Sequence, residues 1–327
     1  MDVSCAFATT LDSPQHAALA EELGYERAWF FDGPPMTPDV WMILGQAAQA
    51  TSRIGLGPAV LAPGLRHPMV NAAGTAGLAA LAPGRVAIAV GTGYVPRMIG
   101  QRATPWSYVE KYVVAIRALL QGETVLWDGA KMRMNHTERH APPRPIDVPI
   151  VIAAIGPKGN AVAQRIGDGL FVVGIVPPFA KEHDWVAMLC QGTVLDPDEA
   201  IESDRVMAAA GPGTMTTAYH APYPATEAIS QLPGGDAWIK AIERHPEDER
   251  HLAVHYRHFV GLNEADQAAW KAGASGLAQH VTITGSPSRV KARIGQLAEQ
   301  GVTEVVYQPA GPDIPRELER FLEAAKS

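Results

Sequence analysis

The first third of the chain repeats one pattern: a short, almost continuously apolar run, a turn rich in Pro, Gly or Asp, then an amphipathic stretch of helix length. Val3–Ala8 predicts a first strand. Ser13-Pro14 then supplies an N-cap and an N1 proline for a helix through Leu19 and Leu23 that stops at Gly24. Arg27–Phe31 predicts a second strand closing on Asp32, and Thr37-Pro38-Asp39 opens a helix through Trp41, Leu44 and Ala47. Arg53–Leu61, Pro68–Leu81 and Arg85–Val90 continue the alternation as strand, helix and strand, stopped by Gly91-Thr92-Gly93. Strands apolar on both faces must be covered on both faces, as parallel strands under helices are.

Trp106–Leu120 predicts a fourth helix with Tyr108, Tyr112, Ile116 and Leu119 on one stripe, followed by a polar, Pro-rich excursion. Val148–Ala154 is a fifth strand, Lys158–Ile166 a helix and Gly169–Val176 a sixth strand. The seventh is placed at Trp185–Val194, although Val186-Ala187-Met188-Leu189 would also suit a helix. Ser286 caps a helix through Val290, Ile294 and Leu297; Glu304–Gln308 is the last strand and Pro315–Ala325 the closing helix. Eight strands alternating with helices predict an α/β fold, a single (β/α)8 TIM barrel over 1–327 rather than an open doubly wound sheet. Over 196–279 the rhythm lapses into an Ala-rich, His-bearing stretch. It reads as a mostly helical insertion before the last βα unit, expected on the C-terminal rim.

Composition narrows the partners. With 47% apolar and 19% charged residues the chain can bury a sizeable core. Its 27 basic against 34 acidic side chains, a net charge of -7, argue against a nucleic-acid or anionic-membrane surface, so a small-molecule substrate is the expected partner. Cys5 and Cys190 are too few for a disulfide framework, the N-terminus does not read as a leader, and no run of about 18 apolar residues occurs. A reduced, cytoplasmic protein is expected.

In a barrel, ligands meet residues at the C-terminal ends of strands. Asp32 ends an apolar strand there and must find a hydrogen-bond partner or a ligand; a loop or N-cap role is the bland alternative. Gly91-Thr92-Gly93 would let a backbone approach a flat ligand, yet lacks the third glycine and the acidic residue of a dinucleotide fingerprint. Ile155-Gly156-Pro157-Lys158 joins a strand to a helix, where free amides and Lys158 could hold a phosphate. His251, His255 and His258 fall at i, i+4 and i+7 of one helical face. Without a neighbouring Cys or a protease-type Glu, they read as a lid, interface or substrate pocket before a metal site. No nucleophile elbow or Cys-His spacing is present.

These motifs add up to a resemblance. Arg53-Ile54-Gly55-Leu56-Gly57-Pro58-Ala59-Val60-Leu61-Ala62-Pro63 with Arg66-His67-Pro68, and Gly84-Arg85 leading to Gly91-Thr92-Gly93, resemble the bacterial luciferase-like superfamily. So do Val148-Pro149 to Gly156-Pro157, Gly167-Asp168-Gly169, and Gly301-Val302 to Pro309. The likeness spans most of the chain outside the insertion. It is strongest to the branch using the deazaflavin coenzyme F420, which includes methylenetetrahydromethanopterin reductase and glucose-6-phosphate dehydrogenases; FMN is the alternative cofactor.

The resemblance implies that Asp32 sits at the deazaflavin ring, that Ala59-Val60 forms a bulge with a non-proline cis peptide, and that Ala62, Tyr94 and Arg97 line the cofactor. It also implies that Ile155, Gly156 and Lys158 hold its phosphate. Gly33 and Tyr94 stand where the sugar-phosphate dehydrogenases place a histidine and a proton-handling glutamate, which argues against glucose 6-phosphate as substrate. The implied activity is hydride transfer between the deazaflavin C5 and a small substrate with an activated C=C, C=N, C=O or nitroaromatic group. Tyr94 is the first candidate acid. Rivals are an FMN-dependent monooxygenase and a non-catalytic flavin-binding homologue. Relatives of this kind imply a homodimer.

Overall fold

The computed structural model describes residues 1–137 and 139–327. Its strands are β1 (Asp2–Phe7), β2 (Arg27–Phe30), β3 (Gly55–Pro58), β4 (Ile88–Gly91), β5 (Val125–Trp127), β6 (Ala130–Met132), β7 (Ile150–Ala153), β8 (Gly169–Val173), β9 (Val186–Gln191) and β10 (Glu304–Gln308). Eight of these form one parallel sheet in the order β3-β2-β1-β10-β9-β8-β7-β4, which is chain order around a ring. The ring closes between β3 and β4 through two pairs of backbone bonds. Leu56 N to Arg85 O (2.8 Å) and Ala87 N to Leu56 O (3.1 Å) form one pair, Leu61 N to Ala89 O (2.8 Å) and Gly91 N to Leu61 O (3.2 Å) the other. Between the pairs lie Pro58, which has no N–H to give, and the cis Ala59–Val60 peptide. At Gly57 a Cβ would stand 1.7 Å from Ala87 O, so the seam admits only glycine there.

The barrel interior is filled mainly by Ala6, Ala59, Ala87, Ala89 and Ala187 around Trp29 and Phe171. Its N-terminal end is plugged: buried Glu304 accepts from Trp29 Nε1 (3.1 Å) and Trp185 Nε1 (2.6 Å). Arg27 lies 5.3 and 5.5 Å from the same two rings. A ligand to the barrel would therefore enter from the opposite, C-terminal end.

Several predicted bounds shift. Asp12, not Ser13, is the first N-cap, and Ser13 Oγ accepts instead from Thr10 N at 2.9 Å. The seventh strand is a strand, Val186–Gln191, and the sixth stops at Val173 because Gly174 turns with φ +81°. The Pro-rich excursion hides the antiparallel β5–β6 hairpin, whose Asp128-Gly129 tip has φ of +46° and +82°.

Between β9 and the helix Pro287–Glu299 lies a helical segment with its own core around Tyr219, Trp238 and Trp270. The helix Asp204–Met215 runs into a π-helical turn, Thr216–His220; the helices Gly235–Ile242, Arg250–His255 and Glu264–Lys271 follow. This segment packs over the C-terminal strand ends. Phe259 packs at a tilt against Phe31 beyond β2, ring centres 6.1 Å apart, and its carbonyl accepts from Gln308 Nε2 of β10 at 2.9 Å.

Candidate active site

Four consecutive barrel strands, β2, β3, β4 and β7, end in the residues the sequence singles out: Asp32; Ala59, Val60 and Ala62; Gly91, Thr92 and Gly93; Ile155, Gly156 and Lys158. Neighbouring register brings them together, since Gly91 pairs with Ala153 and Leu61 bridges Val90.

Asp32 is 3% exposed. Its Oδ2 bonds Arg66 Nη1, whose Nη2 reaches Asp39 Oδ2 at 2.7 Å, while Asp32 Oδ1 is buried without a partner. Burial pushes the Asp32 carboxyl up despite the guanidinium, whereas Asp39, more open to solvent, is held low by the same Arg66 in spite of its own desolvation. Arg66 is fixed from behind: Trp41 Nε1 donates to Asn71 Oδ1 (3.0 Å), Asn71 Nδ2 to the Tyr112 hydroxyl (2.8 Å), and that hydroxyl to Arg66 O (2.8 Å). The sequence shows Arg66 in a turn but gives no means of pairing it with Asp32. The only hint is that an acid ending an apolar strand needs a cation.

Gly93 has φ +78°, and a Cβ there would lie 2.4 Å from Ala62 Cβ; one at Gly91 would lie 2.9 Å from Ala153. Both glycines are therefore required by close packing, which brings the end of β4 against Ala62 and Ala153. Gly156 faces open space at the N-terminus of the helix Pro157–Ile166, where proline at N1 and the uncapped Gly156 leave first-turn amides free. Lys158 in this helix and Arg97 in the short helix Val95–Met98 are both exposed.

Tyr94 N-caps the short helix Val95–Met98. Its hydroxyl donates to the His220 carbonyl at 2.9 Å, its ring stacks on His258 at 5.0 Å, and Arg97 stands 5.7 Å from the ring centre. Burial pushes its hydroxyl up to about 12 against the pull of Arg97.

The three histidines do not share a helical face as the spacing suggests. The helix ends at His255, and positive φ at Arg257 (61°) and Phe259 (63°) turns His258 inward. His251 stands apart beside Gly100, and its place is taken by His220 from the π-helical turn. His220 Nδ1 lies 2.9 Å from His258 Nδ1, and His220 Nε2 2.9 Å from Asp266 Oδ1. Burial first, then the neighbouring imidazoles and Arg97, draws His255 down to about 3, and burial with the neighbouring imidazoles draws His258 well below the usual imidazole range. Nothing in the sequence links His220 to residues some forty positions away.

The chain is similar to several known proteins. The sequence profile of the luciferase-like monooxygenase family matches residues 11–304. The chain is 35% identical over 173 residues to an F420-dependent glucose-6-phosphate dehydrogenase of Beutenbergia cavernae, covering 47% of this chain and 50% of that protein, so it matches about half of that relative's length. It is 27% identical over 329 residues to a 5,10-methylenetetrahydromethanopterin reductase of Archaeoglobus fulgidus, covering 93% and 91%. The coenzyme F420 dependent tetrahydromethanopterin reductase of Methanopyrus kandleri shares the fold, with a TM-score of 0.70 at 21% identity over 100% of this chain and 99% of that one. The chain thus belongs to the luciferase-like monooxygenase family, whose profile spans the barrel from its first helix to its last strand.

Proposed function

We propose that the protein is a coenzyme F420-dependent oxidoreductase acting on a small organic substrate at the C-terminal mouth of the barrel. The observation that carries this reading is Asp32: a carboxylate at the C-terminal end of a barrel strand with one oxygen on Arg66 and the other buried and unpartnered. A flat polar ring with an N–H to donate suits that acceptor, and a phosphate suits the free amides before Lys158. Coenzyme F420, when bound, supplies two-electron hydride exchange at its C5 carbon.

The chain's own groups bind, orient and seal. Asp32 Oδ1 offers an acceptor to a ring N–H and gains the hydrogen bond it lacks. The bulge at Ala59–Val60, with buried Ala62 behind Gly93, forms one wall. Ile155, Gly156 and Lys158 receive the phosphate, and the exposed Arg97 and Lys158 suit an acidic tail. Tyr94 offers its proton to the His220 carbonyl and is pushed up to about 12, a geometry that supports holding the helical segment in place over donating a proton. Gly33 and Tyr94 depart from the sugar-phosphate dehydrogenases, so the substrate classes preferred are activated C=C, C=N, C=O and nitroaromatic groups. The assembly expected is a homodimer, which light scattering on purified protein tests.

The test of function is a screen with reduced F420 and a panel of enones, imines, ketones and nitroaromatics, followed by return of the oxidised chromophore while oxygen uptake is recorded. The reading expects reoxidation with at least one acceptor class without matching oxygen uptake. Oxygen consumption with reduced FMN, and none of the F420 reactions, would favour the monooxygenase alternative.

A further inference from the structure

Three imidazoles that the proposed chemistry does not use converge above Tyr94. His220, His255 and His258 are 1%, 7% and 1% exposed. One ring nitrogen from each lies within 4.8 Å of the others. Their ring centres are 5.2 Å apart for His220–His258, 5.2 Å for His255–His258 and 6.0 Å for His220–His255. Imidazoles bound tetrahedrally to one ion, with metal–nitrogen bonds of about 2.0–2.1 Å, have centres about 5.2 Å apart. Two of the three edges match that spacing.

Two further observations favour a ligand over a self-contained hydrogen-bond chain. His255 Nδ1 is buried with no partner, a state that costs free energy unless something fills it. His220 is also oriented from behind by a fully buried carboxylate. Asp266 Oδ1 lies 2.9 Å from His220 Nε2 and accepts from Trp238 Nε1 at 2.9 Å, while Asp266 Oδ2 accepts from Asn263 N at 3.1 Å. With His220 Nε2–H given to Asp266, its Nδ1 presents a bare lone pair toward His258. A carboxylate behind a metal-ligating histidine has this arrangement.

We propose that His220, His255 and His258 form a site for a divalent transition ion of borderline softness, zinc foremost, with Asp266 as the supporting carboxylate. Three protein nitrogens leave the fourth tetrahedral position to water or to a substrate oxygen. Binding exchanges the 2.9 Å His220–His258 hydrogen bond for two metal bonds, and its proton moves to His258 Nε2, so all three rings stay neutral. The ion would tie the π-helical turn to the turn after His255. It does not depend on which cofactor occupies the barrel mouth.

The test uses untagged protein, stripped with a chelator and titrated with Co2+ and then Zn2+. One equivalent of cobalt with the intense visible absorption of a tetrahedral site, displaced by one equivalent of zinc, is expected. His255→Gln should weaken cobalt binding by about a hundredfold, while His251→Gln, outside the cluster, should bind as the parent does. Absence of the tetrahedral spectrum in the parent protein overturns the proposal, whether or not the variant folds. So does a cobalt affinity in folded His255→Gln equal to that of the parent.

Discussion

Asp32 and Arg66 meet at the barrel mouth through one charge-assisted hydrogen bond, Oδ2 to Nη1, and the other Asp32 oxygen is left buried and unpartnered. The pair is nearly dry, with side-chain exposures of 10% for Arg66 and 1% for Asp32. Arg66 bridges Asp32 and Asp39, so one guanidinium serves two acids.

Removing the cation alone therefore strands a buried charge. Arg66→Met should lower stability by about 3–5 kcal/mol, and adding Asp32→Asn should recover a substantial part of that loss. Urea unfolding of the two single variants and the double variant measures the coupling. Additive losses would show that the pair is not coupled.

Glu21 is the clearest acid-side titration. Its carboxylate accepts from the Ser52, Arg53 and Ile54 amides and the Ser52 hydroxyl, and these bonds, overcoming desolvation, hold it at about 2. A carboxyl lowered by folding stabilises fully above its ordinary range near 4.5 and loses that contribution as pH falls toward about 2. Glu21→Gln should thus destabilise near neutrality and flatten the stability profile between those values. Parallel acid limbs for parent and variant would contradict this.

Gly57 and Gly77 should respond in opposite directions to the same substitution. Gly57→Ala places a methyl on Ala87 O across the barrel seam and should abolish cooperative folding. Gly77 lies inside the helix Pro68–Leu81, and a methyl added there would have nothing within 4 Å, so Gly77→Ala should raise stability by about 0.5–1 kcal/mol. Thermal unfolding distinguishes the two.

Tyr94→Phe deletes the hydroxyl bonded to the His220 carbonyl. A positioning role predicts a loss of about 1 kcal/mol, seen as faster proteolysis in the helical segment, with F420 affinity unchanged. A fall in turnover of about 10²–10⁴ with normal stability would instead assign it the proton.

The barrel is legible in the sequence because its strands are short, apolar on both faces and separated by well-marked turns. The boundaries at Ser13 and Gly174 differ because caps and positive φ are decided by one or two residues. The hairpin Val125–Met132 is hard to read because it is mostly exposed and carries no hydrophobic alternation. At the site, Asp32 and the two glycines stand out because they come at the ends of apolar strands. Arg66 and His220 do not, since their partners lie 34 and 38 positions away and only the fold brings them together.

The central claim is a deazaflavin at the barrel mouth, and its most direct test is a fluorescence titration of the purified protein with coenzyme F420 and, separately, FMN. The account predicts saturable binding of F420 at one site per chain, preferred over FMN and weakened about tenfold by Lys158→Ala through loss of one phosphate-facing cation. Preference for FMN, or binding of neither, would contradict it.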